Sequence, residues 1–285
     1  QVMRPTTRSA IHEPTHSDVM RSVWFVTGPS EYPGMKPRWV ASEQPETSST
    51  SVAASAAPSS SAVAERRTVA LSGLRGAIAR NMAQGWQAPR VAHSVDVDLS
   101  RVETLRAERA AAGEKLSLNT LVIHAVSRAL RSHPRLNALM REKEIELVDD
   151  INIGIAVALD DGLMVPVVRQ ADTKPLAALA AEARQLAEGA RTGALTGGAY
   201  QRGTFTVTNL GGTCVDRFSP VINPPQVAIL GVGRTRQQAV VKDGSVVAAA
   251  VANLTLVFDH RAVDGYPAAL FLGEVARRLE QAEFD

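Results

Sequence analysis

Near its C-terminus the chain runs from a strongly apolar strand, Ala252-Asn253-Leu254-Thr255-Leu256-Val257, straight into Phe258-Asp259-His260-Arg261-Ala262-Val263-Asp264-Gly265. An amphipathic helix follows, from Tyr266 to about Gln281. Any fold must give this strand a sheet and this helix a layer to rest on. A strand end holds a side chain rigidly, and the glycine that follows suits a tight backbone turn. Ala269, Leu270, Leu272, Val275, Ala276 and Leu279 are placed to pin the turn from below.

The remaining chain divides by composition. Residues 1–40 carry Pro, Arg and Trp without clear periodicity, and the short apolar patch Val23-Trp24-Phe25-Val26 has no assignable role. Residues 41–66 are rich in Ser, Ala, Thr and Pro, with almost no large apolar groups. Such a stretch cannot bury enough surface to offset chain entropy and reads as a flexible linker. Folding proper is expected over 67–285. Helices are expected over Leu74–Gln84, Arg101–Ala111, Leu118–Ser132 with Ser117 as cap, and Lys174–Arg191. Strands are expected over Val91–Val97, 144–148, 152–159, 163–169, Thr204–Leu210 and Gln226–Val232, with hairpin turns at Asp160-Asp161-Gly162 and Asp243-Gly244. Helices and strands mix without a repeating βαβ unit, which points to an α+β layered sheet.

Several function classes recede. The 285 residues carry a formal net charge of only +2, with scattered bases, so neither nucleic acid nor membrane is an expected partner. The single Cys214 excludes an intrachain disulfide framework and fits a reducing compartment, so a soluble cytoplasmic chain is expected. There is no Gly-rich phosphate loop and no G-x-S-x-G elbow. Asp259, His260 and Asp264 cluster without a second His or Cys motif, so no metal is expected. For His260, local reasoning leaves two roles open. A histidine at a strand end is ordinarily a hydrogen-bonded structural residue, yet Asp259, Arg261 and Asp264 surround it with charges suited to orienting a general base.

The motifs FDHRAVDG (258–265), TFTVTNLGG (204–212), FSPVINPPQVAILGVGR (218–234), DGLMVPVVR (161–169) and LRGAIARNM near residue 75 occur in one order over about residues 70–282. In this they resemble the catalytic domain of the dihydrolipoyl acyltransferases of 2-oxoacid dehydrogenase complexes. The resemblance implies a chloramphenicol acetyltransferase-like layered mixed sheet with flanking helices. It implies direct acyl transfer from a coenzyme A thioester as cosubstrate, with no bound cofactor and no acyl-enzyme. His260 would take a proton from an acceptor thiol or hydroxyl. Thr208, by itself an ordinary strand residue, would donate to the tetrahedral oxyanion. Asp264 would support the site through an arginine contact, with Arg75 as a candidate partner. Arg261 is expected in structural ion pairs and Asn209 in shaping the strand end. Arg234 and Arg236 are candidates for the coenzyme A phosphates by charge alone. His93 is read as structural or channel-lining and Cys214 as a small loop residue. The resemblance further implies a homotrimer with each active site between subunits.

The chain also departs from that family. The region before the linker is about 40 residues, with no lipoylation motif and no convincing subunit-binding domain. Either the chain is a fragment or it acts alone; acting alone, it is expected to move an acetyl or short acyl group to a hydroxyl of a small-molecule or carrier-bound acceptor, similar to tetronate-pathway O-acetyltransferases of natural-product biosynthesis. Two alternatives stay open: a dihydrolipoyl acyltransferase core acting on lipoyl groups, and a non-catalytic scaffold. The mostly polar Glu280–Asp285 end favours a trimer without a larger cage.

Overall fold

Val, Leu, Ala and Phe make up most of the 15-residue strand Ser245–Asp259, whose burial is continuous from Ala249 onward. Only a strand with neighbours on both edges and layers on both faces takes such a run. In the computed structural model, which describes residues 68–160 and 162–284, that strand is the spine of the sheet. The expected N-terminal segment and linker lie outside the described residues.

In chain order the elements are α1 (Gly73–Trp86), β1 (Arg90–Asp98), α2 (Ser100–Ala111), α3 (Leu118–Leu130), a 3-10 turn (Pro134–Leu136), β2 (Ala138–Met140) and β3 (Ile145–Leu147). There follow β4 (Ile153–Ile155), β5 (Val157–Leu159), β6 (Gly162–Met164), β7 (Val167–Val168) and α4 (Leu176–Thr192). A second 3-10 turn (Gly197–Tyr200), β8 (Phe205–Asn209), β9 (Ala228–Val232), β10 (Arg236–Lys242), β11 (Ser245–Asp259) and α5 (Gly265–Gln281) complete the order. The main sheet runs β1-β11-β9-β8-β4-β7, with β10 paired to the outer half of β11. β8 is parallel to β4 and β9, and the other ladders are antiparallel. This is the α+β mixed sheet with flanking helices that the sequence pattern implied.

Side-chain alternation gives the sheet two different faces. Leu254, Leu256 and Phe258 of β11 join the large core beneath α3 and α5. Val257 points the other way and packs with Ile222 and Ile229. Asn253 and Thr255 share that second face as a polar row, in which Thr255 Oγ1 donates to Asn253 Oδ1 and shares a hydrogen bond with Ser94 Oγ at the sheet edge. The helical layer follows from composition: α3, almost wholly buried, is capped by Ser117 Oγ, which accepts from the amide of Thr120.

Differences from the expected pattern have local causes. The run 152–159 divides, because β4 joins the main sheet while β5 leaves it to pair with β6. The run 163–169 divides at Pro166, which has no N–H to donate; its carbonyl instead accepts from Ile155. The hairpin expected between them is present, with Leu159 opposite Gly162. β2 carries no strand pattern in the sequence and exists because β3 pairs with one edge and the 225–227 segment bonds the other. In α5, Ala268 and Phe271 are buried where Ala269 and Leu270 were expected to be, and Leu270 is 50% exposed. The difference is confined to the first turns, since Leu272, Val275, Ala276 and Leu279 are buried as expected. The Asp243-Gly244 turn closes β10 onto β11 with φ of 50° and 78°, the left-handed pair that a two-residue hairpin of this hand requires. Among the described residues no helix is long and apolar enough to cross a membrane.

Gly233, between β9 and β10, is the tightest backbone crossing. A Cβ there would lie 1.9 Å from the carbonyl oxygen of Asp216. Gly233→Ala must displace the 210–217 loop, and overpacking of this kind costs about 1–3 kcal/mol. Thermal unfolding of the variant is expected roughly 5 °C below wild type.

Candidate active site

The turn after β11 is held by backbone bonds before any side chain acts. The amide of Asp259 donates to Val227, that of His260 donates to Pro89 at 2.9 Å, and those of Ala262 and Val263 return to the carbonyl of Asp259. His260 therefore projects from a fixed corner of the sheet, 46% exposed. Its Nδ1 lies 4.0 Å from Oδ1 of Asp264, an ion-pair distance if the ring is protonated, and longer than a hydrogen bond. Asp264 is the N-cap residue of α5, yet its side chain makes no capping bond and is 77% exposed. Its carboxylate is thereby left to face the imidazole. Arg75, the candidate arginine partner of Asp264, is carried on α1. Below the turn, His93 packs edge-on against Phe258 with ring centroids 5.0 Å apart, and its ring borders Gly265. His93 thus serves as part of the floor.

Arg261 and Asp259 form a tight pair. Arg261 Nε and Nη2 donate to the two carboxylate oxygens at 3.0 and 2.6 Å. The hydrogen bond from Arg261, the largest influence, and the Asp259 charge raise the arginine above its ordinary value, against burial.

Thr208 sits elsewhere. On β8 it is half-buried and pairs with Gly231, which in turn pairs with Thr255 of β11. His260 lies five residues further along β11 than Thr255. The two side chains are therefore separated by roughly 16 Å along the strands and about 10 Å across them. A single chain does not bring them together. Asn209 caps the strand end, its Oδ1 accepting from the amide of Gly211 at 2.6 Å.

Past that end opens a cleft of about 1020 Å³. Arg106, Arg191 and Arg236 line it, together with Asn209, the Gly211-Gly212 backbone and the first residues of α3. Of the two arginines singled out by charge, Arg236 borders the cleft, and both are tied to Asp216: Arg236 Nη1 at 2.8 Å, and Arg234 through Nε. The hydrogen bond from Arg234 holds the Asp216 carboxyl below the usual carboxylate range, against burial, and the charges of Arg234, Arg236 and Arg217 act in the same direction. Arg106 and Arg191 carry no sequence signal, because they converge from α2 and α4 only after folding. Cys214 is an exposed thiol in the loop after β8. Among the described residues no three His, Cys, Asp or Glu side chains gather closely enough to hold a metal ion.

Comparison with known proteins gives the following. The family model for 2-oxoacid dehydrogenases acyltransferase (catalytic domain) matches residues 63–284. The dihydrolipoyllysine-residue acetyltransferase component of the pyruvate dehydrogenase complex of Bacillus subtilis is 38% identical over 220 residues, 75% of this chain and 50% of the relative. The chain spans about half the length of the curated relatives it matches. Among solved structures, the dihydrolipoamide acetyltransferase of Azotobacter vinelandii superposes with a TM-score of 0.74 at 33% identity, covering 77% of this chain and 93% of that one. Its catalytic mechanism has been investigated through a serine, a histidine and an asparagine. The cubic core of a pyruvate dehydrogenase multienzyme complex superposes with a TM-score of 0.73 at 32% identity, covering 77% and 93%.

The Asp216 cluster makes a prediction about pH. A carboxyl depressed in the fold contributes stability that is full above its unfolded value and is lost as pH falls through the folded one. Arg234 donates its amide to Val215 across this cluster at 2.9 Å. Its hydrogen-exchange protection is expected to stay flat from neutral pH to about 5 and to decline below about 4. Asp216→Ala should show the low protection at every pH.

Proposed function

Because the chain belongs to the family of 2-oxoacid dehydrogenase acyltransferase catalytic domains, we propose that it transfers an acyl group between coenzyme A and a dihydrolipoyl thiol. One observation carries this reading. Thr208 and Asp264 stand at the same sequence offsets from His260 as the serine and the asparagine do from the histidine studied in the Azotobacter enzyme. The hydroxyl is kept, with an added methyl, and the amide is replaced by a carboxylate.

The chemistry follows from those groups. His260 takes the proton of the acceptor thiol, and the thiolate attacks the carbonyl carbon of the acyl-CoA thioester. The oxygen of the tetrahedral intermediate accepts a hydrogen bond from Thr208. Collapse breaks the bond to the coenzyme A sulfur, which recovers the proton from the imidazolium. Asp264 faces the positive charge that forms on the ring. The three arginines of the cleft suit the coenzyme A phosphates, since Asn209, next to Thr208, lines the same space.

The geometry within one chain separates base and oxyanion donor, so the reading requires two chains per site, and we take the assembly to be a homotrimer. Phe284, the large apolar residue of the polar C-terminal stretch, packs on His124 of its own core with ring centroids 5.7 Å apart. The hydroxyl acceptor and the natural-product setting expected from the sequence give way here, because the named relatives act in pyruvate dehydrogenase complexes. Dihydrolipoyl transfer was the alternative reading.

The test is coenzyme A release from acetyl-CoA with dihydrolipoamide in one reaction and a glycerol-derived tetronate in another, product masses being recorded. Transfer to dihydrolipoamide is expected; a product from the hydroxyl alone would overturn the reading. His260→Ala should lower the rate about 10²–10⁴-fold and Thr208→Ala about 10²–10³-fold. Unfolding and refolding the two variants together should restore measurable activity, since mixed assemblies contain sites with both groups intact. Light scattering should report three chains.

A further inference from the structure

His260 is flanked in sequence by the two partners of the Asp259–Arg261 ion pair, and the geometry points to that pair as a positioning device for the imidazole rather than an ordinary surface salt bridge. The inference rests on the acyl-transfer reading above and deepens it. Asp259 is 2% exposed, so its charge is taken out of water. Both carboxylate oxygens are occupied by one neighbour: Oδ1 accepts from the backbone amide and from Nε of Arg261, each at 3.0 Å, and Oδ2 accepts from Nη2 at 2.6 Å. A guanidinium makes such a two-point contact in a fixed plane, where an ammonium would make a single point contact.

The consequence for residue 260 is geometric. Residues 260–262 form a turn in which the amides of Ala262 and Val263 return to the carbonyl of Asp259, and the side-chain pair closes the same turn a second time, with His260 between its two members. By clasping 259 to 261 the pair removes the freedom of the turn to rotate about His260. The backbone bonds from Asp259 to Val227 and from His260 to Pro89 anchor the clasp to the residue before β9 and to the residue before β1. The imidazole is thereby held with Nδ1 toward Asp264, and Nε2 is left as the nitrogen that meets the acceptor thiol. The backbone bonds fix the path of the turn, and the Asp259–Arg261 pair adds a side-chain clasp across it, whereas the Asp264 side chain is exposed and does not cap the helix. Arg261 is a positioning residue in this account and touches no reacting atom.

Three variants test it. Arg261→Lys keeps the charge and loses the two-point contact. Asp259→Asn with Arg261→Gln keeps a neutral hydrogen-bonded pair and leaves no buried charge unpaired. Arg261→Met removes the contact outright. For each folded variant, kcat and the KM for acetyl-CoA are measured separately, with thermal unfolding alongside. The tautomer of His260 is read by nitrogen-15 NMR of the histidine-labelled full chain, assigned with His260→Ala. Arg261→Lys is expected to lower kcat about ten- to a hundredfold, the scale of a misplacement near 1 Å, with KM for acetyl-CoA unchanged. The His260 ring signals should lose their single Nε2-base tautomer in the same variant. Wild-type kcat and an unchanged histidine spectrum in both Arg261→Lys and the double variant would overturn the inference. Lowered melting with normal kcat would do the same, since it would mark the pair as structural only. If Arg261→Met does not fold, the other two variants still decide. Should the wild-type protein itself transfer nothing to any acceptor, the acyl-transfer reading falls, while the tautomer measurement still reports on the clasp.

Discussion

The hydrogen-bond register of β11 is the constraint on which the rest depends. One edge of this strand pairs with β1 over Val251–Asp259, and the other pairs first with β10 and then with β9. With both edges used, the strand cannot slip without turning its inward leucines and Phe258 out of the core, because the side-chain period is two residues. Everything functional is placed relative to it. His260 leaves its C-terminal end, Thr208 lies two strands away at the level of Thr255, and Arg236 stands on the partner of its outer half.

That register also explains why the candidate site is incomplete in one chain. Base and oxyanion donor are attached to opposite levels of a rigid sheet, and no side-chain rotation spans the separation. Under the proposed two-chain site, the exposed outer face of β1 (Ala92, Ser94 and Asp96) and the exposed Tyr266 and Leu270 of α5 are surfaces open to a second chain. Large apolar residues exposed at the margin of a catalytic turn are what an interface between chains would cover.

Electrostatics at the two places differ in kind. At the cleft, one carboxylate, Asp216, gathers two arginines in exposed surroundings, where such pairs add little stability but orient cations. At the turn, a buried carboxylate is matched to one arginine, and loss of either partner would leave a desolvated charge. The first arrangement suits meeting a polyanion from solvent, and the second suits holding backbone in place.

Most of this was legible in the chain itself. Periodicity located the five helices and the strands that carry His260 and Thr208, and the motif order around FDHRAVDG pointed to the family before any coordinate was considered. The elements not legible were those without a pattern of their own: β2, which forms where β3 and the 225–227 segment bond its two edges, and the divisions of 152–159 and 163–169, which follow from sheet partners and from Pro166. The same holds at the site. Local sequence singled out His260 because strand ends and turns are short-range features, and the family resemblance added Thr208 and the supporting role of Asp264. It could not supply Arg106 and Arg191, the absence of a capping bond from Asp264, or the distance between Thr208 and His260. Those depend on contacts between residues far apart in the chain, and such contacts are decided by packing and strand register, which only the folded sheet defines.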